Sequence, residues 1–263
     1  MAVSSAAPKR KRGADETALI NALMALLPLM ACCLVAGCGA AEALPPPCNT
    51  TSLAALPDSG PKEIDVYFGC GCFWHMQHGF ATFEMSELCR QGDNISARAA
   101  YAGGTEVGED GLVCYHNMRS TADYGAMGHA EVVALRIPEA SFAGFAAKFW
   151  QLCPGGRRQD PQDSGGEYRS VVGFPGGVSS PLMAELAAAV GSATLTPGKG
   201  DEGDTLSAGQ VLVYDQLSFP AHVAEKYHQF HDDMLESYGA AYNSLSRFAK
   251  RTSCPGDSSV LFG

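Results

Sequence analysis

The run Phe68-Gly69-Cys70-Gly71-Cys72-Phe73-Trp74 constrains the fold more than any other feature, because a strand must end and a helix begin within it. Upstream, Ile64, Val66 and Phe68 alternate with Asp65 and Tyr67, the period of a strand. Downstream, Phe73, Met76, Phe80 and Phe83 recur at roughly helical spacing, and the two glycines between let the chain turn. Cys72 therefore sits where unpaired backbone N–H groups favour a thiolate, which brings a thiol pKa from about 8.5 toward neutrality. One of 10 cysteines in the chain, it is a candidate nucleophile against the ordinary alternative of an inert buried thiol.

The chain has 263 residues, 46% hydrophobic and 17% charged, which suits one globular domain with appendages. Lys9, Arg10, Lys11 and Arg12 outweigh Asp15 and Glu16, so residues 1–16 carry +2 and the remainder −12 of the overall −10. Nucleic acid is excluded as a partner of so acidic a folded part. From Thr17 to Ala41 no residue is charged, a length that serves as a signal-peptide core or one membrane span. The basic cluster before it suits targeting better than a nuclear signal. Residues 1–43 are thus expected to be a targeting signal or membrane anchor that meets the membrane or targeting machinery. Secretory pathway, organelle and anchored destinations all remain open, as does a lipidated Cys38 in Val35-Ala36-Gly37-Cys38.

Residues 44–62, with Pro45, Pro46, Pro47, Pro57 and Pro61, read as a linker. A catalytic domain is expected over 63–240 and a mobile tail over 241–263. Further strands are expected at 95–100, 129–137, 168–172 and 211–214, and helices at 141–153, 181–190 and 221–238. In the last helix Val223, Tyr227, Phe230 and Met234 would share one face. Residues 191–209, rich in Gly, Ser and acids, read as an exposed loop. Strands separated by helices without a parallel repeat give an α+β sandwich.

In the strand around Glu131, alternation places its carboxyl on the face of Val133, Leu135 and Ile137. Burial there raises a carboxyl pKa above about 4.3 and makes an acid able to donate a proton near neutrality. Once Cys32, Cys33 and Cys38 are set aside with the targeting segment, seven cysteines remain, and an odd number leaves room for one reactive thiol. No second Cys/His cluster with zinc spacing accompanies Cys70-Gly71-Cys72, so no metal is expected. His75 reads as a solvent-facing helix residue, with tuning of Cys72 as the alternative.

Gly71-Cys72-Phe73-Trp74, Tyr101-Ala102-Gly103-Gly104, Gly128-His129-Ala130-Glu131-Val132-Val133, Phe149-Trp150, Tyr168-Arg169-Ser170 and Ala224-Glu225-Lys226-Tyr227-His228-Gln229 occur in this order. Together they resemble the A-type peptide methionine sulfoxide reductases, from about Val66 to Gln229. The resemblance implies a ferredoxin-like two-layer α+β sandwich, a mixed sheet with packed helices and long loops. It implies reduction of methionine S-sulfoxide, in proteins or free, with Cys72 as nucleophile and Glu131 as acid. Phe73 and Trp74 would hold the S-methyl group, since aromatic faces contact polarisable sulfur favourably. Tyr168, Asp163 and a tyrosine before the His-Ala-Glu motif, Tyr115 first and Tyr124 second, would complete the substrate site.

The product on the enzyme is a sulfenic acid, which a second thiol condenses with to a disulfide. Cys254 is the expected second thiol, with Cys114 and Cys70 as alternatives. Thioredoxin or another dithiol would then restore the thiols, with no tightly bound cofactor and a monomeric enzyme. Two other readings stand beside this one: a membrane-tethered binding protein of the same fold without turnover, and a Cys/His hydrolase built on Cys72.

Overall fold

The computed structural model describes residues 62–116, 122–206 and 208–258. The expected targeting segment and linker, apart from Lys62, lie outside them. Among the described residues no helix is long and apolar enough to cross a membrane.

The alternating segment forms β1 (Glu63–Gly69), and the aromatic one α1 (Phe73–Glu87). They are followed by β2 (Arg98–Ala102), β3 (Ala130–Pro138), α2 (Phe142–Leu152) and β4 (Val171–Phe174). These four strands lie in the order β4-β1-β3-β2, with β1 antiparallel to both β3 and β4 and β2 antiparallel to β3. A β-α-β-β-α-β chain with that order is the ferredoxin-like sandwich the sequence led us to expect. After α3 (Met183–Val190), β5 (Thr194–Pro197) and β6 (Gln210–Asp215) extend the sheet beyond β4 in parallel, and β7 (His222–Val223) caps β2. The sheet is therefore mixed and has 7 strands.

The main core lies between one sheet face and the helices. Val66, Phe68, Val133, Leu135 and Ile137 meet Phe73, Met76 and Phe80 of α1 and Phe142, Phe145 and Phe149 of α2. Phe68 stacks on Phe80 at 5.0 Å and on Phe149 at 5.6 Å between ring centroids. A smaller cluster of Tyr67, Ala100, Ala130, Val132, Val171 and Tyr214 covers the opposite face. Its small residues fit a close approach: a Cβ on Gly173 of β4 would overlap the ring of Tyr67 on β1.

Two expectations of local structure fail. Residues 194–197 form strand β5, where a loop was read from composition; main-chain pairing with β6 outweighs the low strand propensity of the flanking glycines. Residues 221–238 form no helix beyond a short turn at Lys226–His228. Tyr227 and Met234, expected on a buried face, are 61% and 78% exposed. The segment instead runs along the outer edge of β2, whose amides need partners. The Gln229 side chain supplies them, accepting from Ala99 N at 3.0 Å and donating to Ala99 O at 2.9 Å, while Ala224 N also donates to Ala99 O at 2.9 Å.

Cys70 is bonded to Cys153, joining the end of β1 to the end of α2, and Cys114 is bonded to Cys254. Cys72 is the free thiol among the described residues. Cys254, expected on a mobile tail, is buried against Cys114 and Ala122.

Candidate active site

Cys72 caps the N-terminus of α1, as the strand-turn-helix pattern requires. Gly71 makes the turn at φ +72°, and its N–H donates to Tyr168 O at 3.0 Å, which ties this turn to the one carrying Tyr168. A side chain at Gly71 would be strained by that φ and would press on Asp163 Oδ2 at 2.8 Å.

Cys72, Phe73, Trp74, Tyr115, Glu131, Asp163 and Tyr168 line one cavity of about 160 Å³. All the sequence-derived site residues except Cys254 are therefore brought together. β1 and α1 deliver the thiol and aromatic pair, β3 delivers Glu131, and loops deliver the two phenols and Asp163. Phe73 and Trp74 lie with ring centroids 6.1 Å apart, and Trp74 stacks on His231 at 4.5 Å. Tyr115 packs on His228 at 4.5 Å, and its N–H is held by Glu225 at 2.9 Å.

The first amides of α1 do not point at the thiol's charge alone. Cys72 N donates to Asp163 Oδ2 at 2.8 Å and Phe73 N to Glu131 Oε2 at 2.9 Å. Burial, then the neighbouring Glu131, pushes the Cys72 thiol well above its ordinary value, although an N–H at Trp74 works the other way. The expected lowering toward neutrality is thus reversed, first because the thiol is buried and then because the Glu131 carboxyl lies beside it. Glu131 behaves as expected: burial pushes its carboxyl up to about 8, against the hydrogen bonds from Phe73 N and Tyr124. A carboxyl raised in this direction is suited to hold a proton near neutrality.

These two shifts are coupled. A protonated Glu131 removes one of the charges that hold Cys72 as a thiol, so acid and thiolate are favoured together over carboxylate and thiolate. Burial also pushes Tyr115 up to about 12 and Tyr168 above the ordinary tyrosine value, so both phenols keep a proton to donate. Asp163 is raised by burial as well and is fixed from behind, since Arg158 Nη1 donates to its main-chain oxygen while the guanidinium pairs with Asp204.

Gln159, Asp160 and Asp233 also line the cavity and were not foreseen there, and His75, read first as solvent-facing, lines it too. His75 lies one residue from the aromatic pair, the only signal that placed it near; its predicted exposure is corrected to partial burial, which lowers its pKa. Tyr124, the second choice among the preceding tyrosines, is buried and donates to Glu131 Oε1 at 3.2 Å, whereas Tyr115 faces the cavity. Among the described residues, the group of donor atoms close enough to share a metal ion is Cys114, Glu225 and Cys254, but its two sulfurs are bonded to each other.

Fold and site define a class: an α+β protein with a ferredoxin-like core and a thiol–carboxyl–phenol cavity at the end of its first strand. No family model matches the chain, and no curated protein does. Among solved structures it is similar to methionine sulfoxide reductase A of Corynebacterium diphtheriae, with 20% identity over 75% of this chain and 89% of that one, at a TM-score of 0.43. It is also similar to Mxr1 from Saccharomyces cerevisiae in reduced form, with 18% identity over 64% of this chain and 83% of that one, at a TM-score of 0.42. At these scores the likeness decides nothing about chemistry, which follows from the cavity's own residues.

Proposed function

We propose that the chain reduces methionine S-sulfoxide, in proteins or free, to methionine. The observation that carries this reading is the convergence of a free thiol, a protonated buried carboxyl, two phenols and an aromatic pair on one small cavity. The choice of the S epimer comes from the ordered motifs that resemble the A-type reductases.

A sulfoxide is inert to thiols until its oxygen is protonated, and the parts present meet that need. Phe73 and Trp74 hold the S-methyl group, Tyr115 and Tyr168 donate hydrogen bonds to the oxygen, and Glu131 gives it a proton as Cys72 attacks sulfur. Hydroxide transfer to the Cys72 sulfur then releases the thioether. In balance, sulfoxide and the Cys72 thiol become methionine and Cys72 sulfenic acid, the proton lost from the thiol making good the one Glu131 gives to the oxygen; sulfur of the substrate is reduced and sulfur of the enzyme oxidised.

Recycling uses the cysteine pair found bonded. With Cys114 and Cys254 reduced, the Cys254 thiol condenses with the sulfenic acid, expelling water and forming a Cys72–Cys254 disulfide. Attack by the Cys114 thiol on Cys254 frees Cys72 and leaves Cys114–Cys254, the state described above, for thioredoxin or another dithiol to reduce. Cys114 directly precedes Tyr115 in the cavity lining, which supports its placement in this relay. A Cys/His hydrolase is disfavoured, since among the described residues no hydrogen bond joins Cys72 to a histidine.

The test is to incubate the protein with each methionine sulfoxide epimer and dithiothreitol, and to repeat it with Cys72→Ser. Consumption of the S epimer by the parent protein alone supports the reading; a folded parent protein that leaves it untouched would falsify it.

A further inference from the structure

Glu225, in a motif the sulfoxide chemistry leaves unused, lies against the bonded cysteine pair. One of its carboxylate oxygens, Cys114 Sγ and Cys254 Sγ all lie within 4.8 Å of one another. Glu225, Cys114 and Cys254 are 5%, 1% and 2% exposed, so a proton leaving either thiol meets little water. The carboxylate is fixed from two sides: Oε1 accepts the Tyr115 N–H at 2.9 Å, and Oε2 accepts the Tyr101 hydroxyl at 2.9 Å. Each oxygen has two lone pairs, so both keep room for a proton. His228 Nε2 stands 4.0 Å from Oε2, but burial lowers that imidazole to about 4, so near neutrality it does not neutralise the carboxylate.

The geometry points to Glu225 as the general base of recycling, taking the Cys114 proton as that thiol attacks the Cys72–Cys254 disulfide. The inference rests on the reductase reading and on the relay described above. Thiol–disulfide exchange proceeds through a thiolate, and a buried thiol needs an acceptor close at hand to become one. When Cys254 has gone over to Cys72, Cys114 stays where its main chain holds it: its N–H donates to Ala122 O at 2.6 Å, and its carbonyl accepts from Tyr124 N at 2.8 Å. The next residue, Tyr115, is tied to Glu225 itself. Cys114 therefore has the carboxylate beside it at the moment of attack.

The step balances. The Cys114 S–H bond breaks and its proton passes to Glu225. The Cys114 sulfur bonds to Cys254 as the Cys72–Cys254 bond breaks, its electron pair leaving with Cys72. Cys114 is oxidised, Cys72 is reduced, and the products are the Cys114–Cys254 disulfide, Cys72 thiolate and Glu225 acid, with total charge unchanged. Glu225 lines a second cavity of about 720 Å³, whose water takes the proton on while Cys72 regains one from its own cavity.

The experiment mixes fully reduced protein with one equivalent of a methionine S-sulfoxide peptide, quenches with acid at intervals, and measures methionine and each disulfide by peptide mapping. In the parent protein Cys72–Cys254 should pass quickly to Cys114–Cys254. Glu225→Gln keeps an acceptor for the Tyr115 N–H but cannot take a proton. A positioned base contributes roughly 10²–10⁴-fold, so this variant should convert at least about a hundredfold more slowly and accumulate Cys72–Cys254. Glu225→Ala should accumulate it too, and added formate, small enough for the second cavity, should restore conversion in proportion to its concentration. A merely structural role acting through Tyr115 would slow methionine formation instead and leave no mixed disulfide to accumulate. That result, parent-like conversion in Glu225→Gln, or a Glu225→Ala defect indifferent to formate would overturn the base while leaving the reductase reading intact. Failure of the folded parent protein to form methionine would overturn both.

Discussion

The carboxyl of Glu131 accepts the Phe73 backbone N–H at 2.9 Å, so the first amide of α1 is committed to an acid on the neighbouring strand. This one bond links the two halves of the proposed chemistry. It orients the acid toward the cavity and withholds from Cys72 part of the positive field a helix N-terminus would supply. Burial of the thiol, with this carboxyl beside it, keeps the resting thiol protonated, and it becomes nucleophilic only in a site whose acid is also protonated.

Glu131→Gln keeps an oxygen for the Phe73 N–H but has no proton to give. Single-turnover methionine formation should fall by about 10²–10³, the scale of losing one group that stabilises developing charge at an oxygen. Circular dichroism should be unchanged, and a rate within threefold of the parent would contradict the assignment.

The same carboxyl makes stability depend on pH. Its ordinary value is 4.5 and burial raises it to about 8 in the folded chain, so the folded state keeps a proton that the unfolded state loses. Stability from this group is complete below about pH 4.5 and is lost as pH rises through about 8. The Tm of Glu131→Gln should therefore gain on that of the parent protein from pH 5 to pH 8.5; a constant difference would show that Glu131 does not hold its proton.

Much of this arrangement is legible in the sequence, for a physical reason. β1, α1 and α2 carry strong period-two or helical patterns of large apolar residues, and Glu131 betrays itself by falling on the face of Val133, Leu135 and Ile137, all of them buried. What was not legible depends on partners distant in the chain. The stretch 221–238 has helical spacing, yet Gln229 and Ala224 are drawn to the free edge of β2. Periodicity carries no record of an edge that needs covering. Cys114 and Cys254 are 140 residues apart, and nothing in their neighbours announces the bond. The high Cys72 pKa likewise depends on its burial and on Glu131 arriving at the helix N-terminus from elsewhere.

The recycling scheme predicts different traps for the two bonded cysteines. After reaction with substrate in the absence of reductant, reduced Cys114→Ser should accumulate a Cys72–Cys254 disulfide, and reduced Cys254→Ser should retain a sulfenic acid reactive toward dimedone. Peptide mapping distinguishes them. Equal sulfenic acid in both variants would remove Cys254 from the cycle.

Packing of the second sheet face makes a prediction independent of catalysis. The ring of Tyr67 lies where a Cβ on Gly173 would be, and Tyr67 is wholly buried. Gly173→Ala should cost about 1–3 kcal/mol, the usual range for overpacking. A urea midpoint equal to that of the parent protein would show that β1 and β4 can part to admit a methyl group.

The most direct test of the central claim is a stoichiometric reaction of the fully reduced protein with a peptide carrying methionine S-sulfoxide, followed by mass spectrometry of the residue 72 peptide and of the substrate. The account predicts one methionine formed per chain, with oxidation first appearing on Cys72 as a dimedone-trappable sulfenic acid. Methionine formed with Cys72 unmodified throughout, or no methionine formed by the folded chain, would contradict it.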